Sequence, residues 1–220
     1  MKLFFNILFF CIFVTKYSFS ETLSTKFSIK TKGLKIGEIT WDLEILEKKY
    51  RTKIYLKDKG LLSSLYKFEG SYESEGVTLN NNYITKQYKQ SWKTRKKKRD
   101  VKIIFNNKKI VSLKIIPAEK EMARIKYKDI QGYVDPLASF LNILADNKNS
   151  KTIDGRRIYI LESSYGDGFK KILIKKYSNI WADHKRNDLQ FLEIYQNPGS
   201  FLPIKINIGF KDSVFSLNRI

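Results

Sequence analysis

The chain has 220 residues, enough for one domain with a substantial core, and 42 lysines and arginines against 22 acidic residues give it a net charge of +20. One cysteine and one histidine exclude a disulfide framework and any metal site built from several such ligands, so we expect no metal and no cofactor. The positive charge is dispersed instead of forming one stripe, and we expect no nucleic-acid partner.

The first 20 residues have the pattern of a signal peptide. Lys2 precedes an apolar run over residues 3–14, and Ser18 and Ser20 are small residues at the −3 and −1 positions of a cleavage site. A run of about 12 residues is shorter than the roughly 20 that cross a bilayer as a helix. We therefore predict cleavage after Ser20, export to the periplasm, and no integral membrane segment in the remaining single β-rich domain, residues 21–220.

Residues 26–57 alternate apolar and polar side chains with the period of half-buried strands. Ile39, Trp41 and Leu43 point to one face, while Glu38 and Asp42 point to the other. Further strands are predicted around residues 66–74, 83–92, 101–105 and 109–116, with turn chemistry at residues 80–82.

The densest basic run lies between two of these strands. We name as anion-binding candidates its six cations: Lys93, Arg95, Lys96, Lys97, Lys98 and Arg99. The alternative interpretation is a solvated hairpin end whose charges discourage pairing between sheet edges.

One helix is predicted, at about residues 136–146. Asp135 can cap its free N–H groups, and Pro136 fits the first helical position. An apolar stripe at helical spacing is predicted to dock on the sheet. With Trp41, its members are our ligand-cleft candidates: Leu137, Phe140, Leu141 and Leu144.

The remainder of the chain predicts a meander of strands around residues 157–162, 169–174, 189–195, 203–210 and 214–220, with a hairpin loop at residues 166–168. The fold class is therefore mainly β: a curved antiparallel sheet or incomplete barrel of about ten strands with one covering helix. We assign no catalytic, cofactor-binding or metal-binding residue. His184, the lone histidine, has no second histidine or nucleophile motif beside it.

Several short segments, in this order, resemble the exported bacterial family catalogued as domain of unknown function 3108. The segments are residues 27–30, 33–37, 135–139, 153–157 and 202–205. The resemblance implies a periplasmic, β-rich protein without an established activity. The architecture is similar to that of lipoprotein-carrier proteins, whose incomplete barrel and helical cover hold acyl chains.

Our leading hypothesis is a non-enzymatic envelope protein that binds a lipid or another amphipathic ligand in an apolar cleft, with basic rims meeting anionic head groups. The first alternative is a structural or assembly factor that binds another envelope protein or an anionic wall polymer. The second is a hydrolase that uses His184.

Overall fold

A computed structural model describes residues 20–60, 67–181 and 188–220. The predicted signal peptide and His184 lie outside the described residues, except for Ser20 at the proposed cleavage site. The described elements, in chain order, are β1 (Ser20–Thr31), β2 (Leu34–Leu46), β3 (Lys49–Asp58), β4 (Phe68–Leu79), β5 (Asn82–Thr94), β6 (Lys98–Asn106), β7 (Lys109–Ile116), a 3-10 helix (Tyr127–Asp129), α1 (Pro136–Leu144), β8 (Asn149–Ile153), β9 (Arg157–Tyr165), β10 (Lys170–Asn179), β11 (Leu189–Tyr195), β12 (Lys205–Phe210) and β13 (Ser213–Arg219).

The strands form one antiparallel sheet in the order β7-β6-β5-β4-β3-β2-β1-β13-β12-β11-β10-β9-β8. All neighbours follow each other in the chain except β1 and β13, which pair from Phe27 opposite Arg219 to Thr31 opposite Phe215. The predicted fold class is confirmed. The sheet is larger than expected: β8 (Asn149–Ile153) is short and mostly polar, and its residues had no strand pattern of their own.

Successive hairpins place their turns alternately at two ends of the sheet. The β1–β2, β5–β6 and β12–β13 turns lie at what we call the first end. The β2–β3, β4–β5 and β9–β10 turns lie at the second end. The helix α1 begins near the middle of the sheet and runs toward the second end, because its first residues contact Ser74 and Thr85 and Asn142 contacts Tyr83 near the β4–β5 turn.

The sheet is not closed by strand pairing, and the segment before α1 bridges its two edges. Gly132 N donates to Lys108 O beside β7 at 3.0 Å. Two residues later, Val134 N donates to Lys151 O of β8, and Ile153 N donates back to Val134 O, both at 2.9 Å. This connector therefore satisfies edge groups that would otherwise be exposed to pairing with another chain.

The helix α1 is enclosed more completely than the predicted stripe implied. Leu141 and Leu144 are buried, but Leu137 and Phe140 are only half-buried. Side chains outside the stripe are buried as well: Ala138, Ser139, Asn142 and Ile143. The reason is that α1 lies inside the curved sheet, where it contacts β4 and β5 on one side and β8 and β9 on the other. The helix also ends at Leu144, two residues before the predicted boundary.

Candidate functional site

An apolar cleft of about 400 Å³ opens on the inner face of the sheet at the first end. The strands β1 to β4, β12 and β13 line it with mostly apolar side chains: Ile29, Ile36, Ile39, Leu56, Phe68, Ile208, Phe215 and Leu217. Ile39 and Leu56 follow the inward phase of their strands, yet they stay half-buried. The cleft exists because α1 covers only the part of this face nearer the second end.

A β-bulge shapes the mouth of the cleft. Ile29 pairs with Gly37 and Lys30 pairs with Lys35, so Ile36 is an extra residue in β2. Gly37 is buried at this point, and a Cβ there would lie 2.8 Å from the carbonyl oxygen of Lys57. The glycine thus permits β2 and β3 to approach closely beside the bulge.

Charged groups on the outer face of β2, opposite the side that lines the cleft, are organised around Glu38. Its carboxylate accepts hydrogen bonds from Lys35 Nζ and Lys59 Nζ, each at 2.7 Å. The hydrogen bond from Lys35, followed by that from Lys59, lowers the pKa of Glu38 to about 2. Glu38 therefore carries its charge throughout the physiological pH range, and it holds two lysines on the face of β2 opposite the cleft.

The start of α1 is fixed by a buried carboxylate. Asp135 Oδ1 accepts from the backbone N–H groups of Leu137 at 2.8 Å and Ala138 at 3.2 Å. Its Oδ2 accepts from Ser74 Oγ at 2.7 Å and Thr85 Oγ1 at 2.5 Å. Burial raises the pKa of Asp135, although all four hydrogen bonds favour its charged form. Asp135 therefore joins the helix to β4 and β5 as well as capping it.

Two further polar side chains anchor α1 along its length. Asn142 Oδ1 accepts from Tyr83 N at 2.7 Å, and its Nδ2 donates to Tyr83 O at 3.1 Å. On the opposite side, Ser139 Oγ lies 2.8 Å from Ser150 Oγ and 2.6 Å from Thr152 Oγ1 of β8. The helix is therefore held between β5 and β8 by hydrogen bonds as well as by apolar packing.

A buried lysine binds the end of α1. Lys170 Nζ donates to the carbonyl oxygen of Ile143 at 2.8 Å and to Asp146 Oδ1 at 2.6 Å. The hydrogen bond from Lys170, and then that from Tyr165, lowers the pKa of Asp146. A cation at this end and Asp135 at the other both complement the helix dipole.

A second hollow, of about 630 Å³, lies at the second end beside Lys170. Its walls come largely from the β9–β10 and β11–β12 loops and include Asp146, Gln196 and Asn197. This polar lining suits an apolar ligand less well than the cleft at the first end does.

The five predicted ligand-cleft residues do not line the apolar cleft. Trp41 and Phe140 pack against each other with ring centroids 5.7 Å apart, and Leu141 is fully buried. Leu137 packs against the cluster around Ile103, and Leu144 borders the polar hollow. The prediction placed the cleft under the helix, but α1 fills that space, and the cleft lies beyond it.

The six anion-binding candidates occupy the β5–β6 hairpin at the first end. Its tip is exposed at Lys93, Arg95, Lys96, Lys97 and Lys98. Arg99 is half-buried, because its guanidinium binds Glu119, which also binds Arg156. Lys98 Nζ lies 3.2 Å from Asp100 Oδ2. The structure therefore separates the exposed tip from Arg99, which holds the connector to the sheet.

Comparison with known proteins identifies the family. A family described as "Protein of unknown function (DUF3108)" matches residues 26–166. The chain belongs to this family. The DUF3108 match includes four of the five resembling segments, but it does not extend to residues 202–205. No curated protein matches this DUF3108 chain.

One solved structure is similar to this DUF3108 protein. It is the crystal structure of a beta-barrel-like protein of domain of unknown function DUF1849 from Brucella abortus, with a TM-score of 0.42 and 9% sequence identity. The similarity covers 90% of this chain and 94% of the Brucella chain.

In residues 20–60, 67–181 and 188–220, no helix is both long and apolar enough to cross a bilayer. The same ranges contain no cluster of three or more histidine, cysteine or acidic residues suited to a metal ion.

Sequence reasoning missed most of the cleft and the polar anchors of α1. The alternation around Ile39 identified an inward-facing strand, but it could not show which inward residues the helix would leave uncovered. Asn142 and Ser139 gave no signal at all, since a polar residue on a helix is ordinarily assigned to its solvated face.

Proposed function

We propose that this DUF3108 protein is a non-enzymatic, exported envelope protein that holds the apolar part of a lipid or another amphipathic ligand in the cleft at the first end. The observation that carries the proposal is the half-buried apolar inner face around Ile39, Leu56 and Ile208. A volume of about 400 Å³ lies within the range typical of small-molecule sites.

The size and chemistry of the cleft fit an alkyl chain. Burying a methylene contributes about 0.8 kcal/mol, so about ten methylenes would contribute about 8 kcal/mol before the costs of association. That energy corresponds to micromolar affinity at most. The lining also includes Lys57 and Asp58, which suit the polar part of such an amphipathic ligand.

The proposals that the protein is exported and that it is not an enzyme depend on the sequence alone. Residues 1–20 have the charge, apolar run and cleavage pattern of a signal peptide, and envelope proteins meet amphipathic lipids. The one histidine is not accompanied by a recognisable nucleophile motif. A binding role therefore explains the observations with fewer assumptions than a hydrolase does.

The test fills the cleft with a larger side chain. We expect solvent extraction and mass spectrometry of protein purified from its native host to yield an unmodified amphipathic ligand near one equivalent. Leu56→Trp is expected to reduce both this content and the binding of cis-parinaric acid at least about tenfold, since it occupies the ligand's volume. The matched control is Lys53→Trp, which places the same ring at an exposed position of β3. Ligand-free native protein, or equal loss in the two variants, would refute the proposal.

The exposed tip of the β5–β6 hairpin favours a second candidate, a structural or assembly factor that binds an anionic wall polymer or another envelope protein. If this is correct, Lys96→Gln with Lys97→Gln should reduce co-sedimentation with purified cell-wall sacculi at least about fivefold, because two cations near the anion are lost. The control pair is Lys48→Gln with Lys49→Gln, exposed at the β2–β3 turn. Unchanged sedimentation of the hairpin variant would exclude wall binding through this tip.

A further inference from the structure

Two large apolar side chains are exposed at turns beside the cleft. Leu34 follows the Lys32-Gly33 turn between β1 and β2, and it is 54% exposed. Val214 follows the turn between β12 and β13, and it is 50% exposed. Neither side chain belongs to a core cluster or its packed neighbours. Both therefore present apolar surface to water at the first end.

The sheet places these two residues close together. Thr31 pairs with Leu34 across one ladder and with Phe215 across the next, and Thr31 Oγ1 donates to Val214 O at 3.2 Å. Leu34 and Val214 thus lie two strands apart, which corresponds to about 10 Å at the usual strand spacing. Leu34 lies on the same face of the sheet as Thr31 and Phe215, whereas Val214 directly precedes Phe215 and points to the opposite face. The two side chains therefore flank one part of the first end from its two faces, and we call this part the Leu34–Val214 edge.

Lysines flank this edge. Lys30 and Lys32 are exposed on the β1 side, and Lys211 is exposed at the β12–β13 turn. The adjacent acid at that turn, Asp212, offsets one of these charges. The β5–β6 hairpin, with Lys96 and Lys97 exposed, lies at the same end three strands from β2. The first end therefore combines exposed apolar tips with a net positive charge.

We propose that the Leu34–Val214 edge docks on the surface of an anionic lipid bilayer. Leu34 and Val214 enter the boundary between head groups and acyl chains, while Lys32 and Lys211 contact lipid phosphates. The cleft opens at this same end of the sheet, since Ile36 and Phe215 both line it and neighbour the edge. Docking would bring the cleft mouth to the bilayer, and in this respect the inference rests on the proposed function.

The second end supplies matched controls. Leu46 is 47% exposed before the β2–β3 turn, and Leu79 is 56% exposed before the β4–β5 turn. These leucines have similar exposure and also lie beside turns, but they are far from the cleft. Substitutions there remove the same kind of surface without changing the proposed docking edge.

The experiment measures flotation of the purified full-chain protein with vesicles. We expect binding to vesicles of phosphatidylglycerol and phosphatidylcholine that weakens as salt rises, and much weaker binding to phosphatidylcholine alone. Leu34→Ser with Val214→Ser is expected to lower the affinity at least about tenfold, because both apolar insertions are lost. Lys32→Gln with Lys211→Gln should lower the affinity about 25-fold, at about fivefold for each lysine. Leu46→Ser with Leu79→Ser should leave binding unchanged.

Absence of binding to the anionic vesicles would overturn the inference. Equal loss in the Leu34/Val214 and Leu46/Leu79 variants would do the same, since it would indicate non-specific adsorption. The failure of this inference is distinguishable from failure of the ligand proposal. A Leu34/Val214 variant that loses vesicle binding is expected to keep its extracted ligand, whereas Leu56→Trp should lose the ligand and still bind vesicles.

Discussion

Replacing Asp135 with alanine is expected to lower the free energy of unfolding by about 3 kcal/mol. Loss of the helix cap contributes about 1 kcal/mol. The hydroxyls of Ser74 and Thr85 then lose a buried acceptor, at about 1 kcal/mol or more each. Urea denaturation of the two proteins would measure the difference, and an unchanged midpoint would contradict the role given to Asp135.

Asp135→Asn separates hydrogen bonding from charge. Asparagine keeps an acceptor for the helix N–H groups and can donate to both hydroxyl oxygens, so we expect a loss below about 1 kcal/mol near neutral pH. The pKa of Asp135 is raised by burial, so the folded protein binds this proton more tightly than the unfolded chain does. The resulting stabilisation is complete below the unfolded pKa of about 4 and is lost as pH rises through the folded pKa.

The unfolding free energy of the native protein, minus that of Asp135→Asn, should therefore fall as the pH rises above about 4. Urea titrations at several pH values would measure this difference. A difference that grew with pH would mean that the four hydrogen bonds to the carboxylate outweigh its burial.

Replacing Asn142 with leucine is expected to cost about 2–4 kcal/mol, although leucine has a similar size. The amide of Asn142 pairs with both backbone groups of Tyr83, as a neighbouring strand would. Leucine would leave a buried N–H and a buried carbonyl without partners. Hydrogen exchange offers the sharpest measurement, because the Tyr83 amide should lose protection by more than the amides of the adjoining β5 ladder do.

The matched control for this prediction is Asn147→Leu. Asn147 Nδ2 also bonds to a backbone carbonyl near the β4–β5 turn, that of Asn81, but at 3.4 Å and in an exposed position. We expect its loss to cost less than about 0.5 kcal/mol. Equal effects of the two substitutions would contradict the strand-like role of Asn142.

The sequence predicted those features that depend on neighbouring residues. Asp135 and Pro136 marked the start of α1 correctly, because capping involves groups only two or three residues apart. The turn at Asn80 and Asn81 was also confirmed, and both residues have a positive φ, of 48° and 59°. The helix end was less clear, since Asp146 leaves the helical conformation with a φ of 66° where asparagine or glycine is more usual.

The site depends on contacts between distant parts of the chain, and for that reason the sequence could not locate it. Alternation assigned Ile39 and Trp41 to one face, but Trp41 is covered by Phe140 while Ile39 remains beside the cleft. The position of α1 along the sheet decides between these outcomes. That position depends on Asp135 reaching Ser74 and on Asn142 reaching Tyr83, contacts that span 61 and 59 residues.

The pairing of β1 with β13 has a consequence for how an occupant would act. Every other ladder among the described strands joins chain neighbours, so each half of the meander can assemble from hairpins with little loop-closure entropy. The β1–β13 ladder joins these two halves, and residues from both halves line the cleft: Ile29 belongs to β1 and Leu217 to β13. A bound alkyl chain would contact both halves and oppose their separation, by a free energy that grows with the logarithm of its free concentration relative to its dissociation constant.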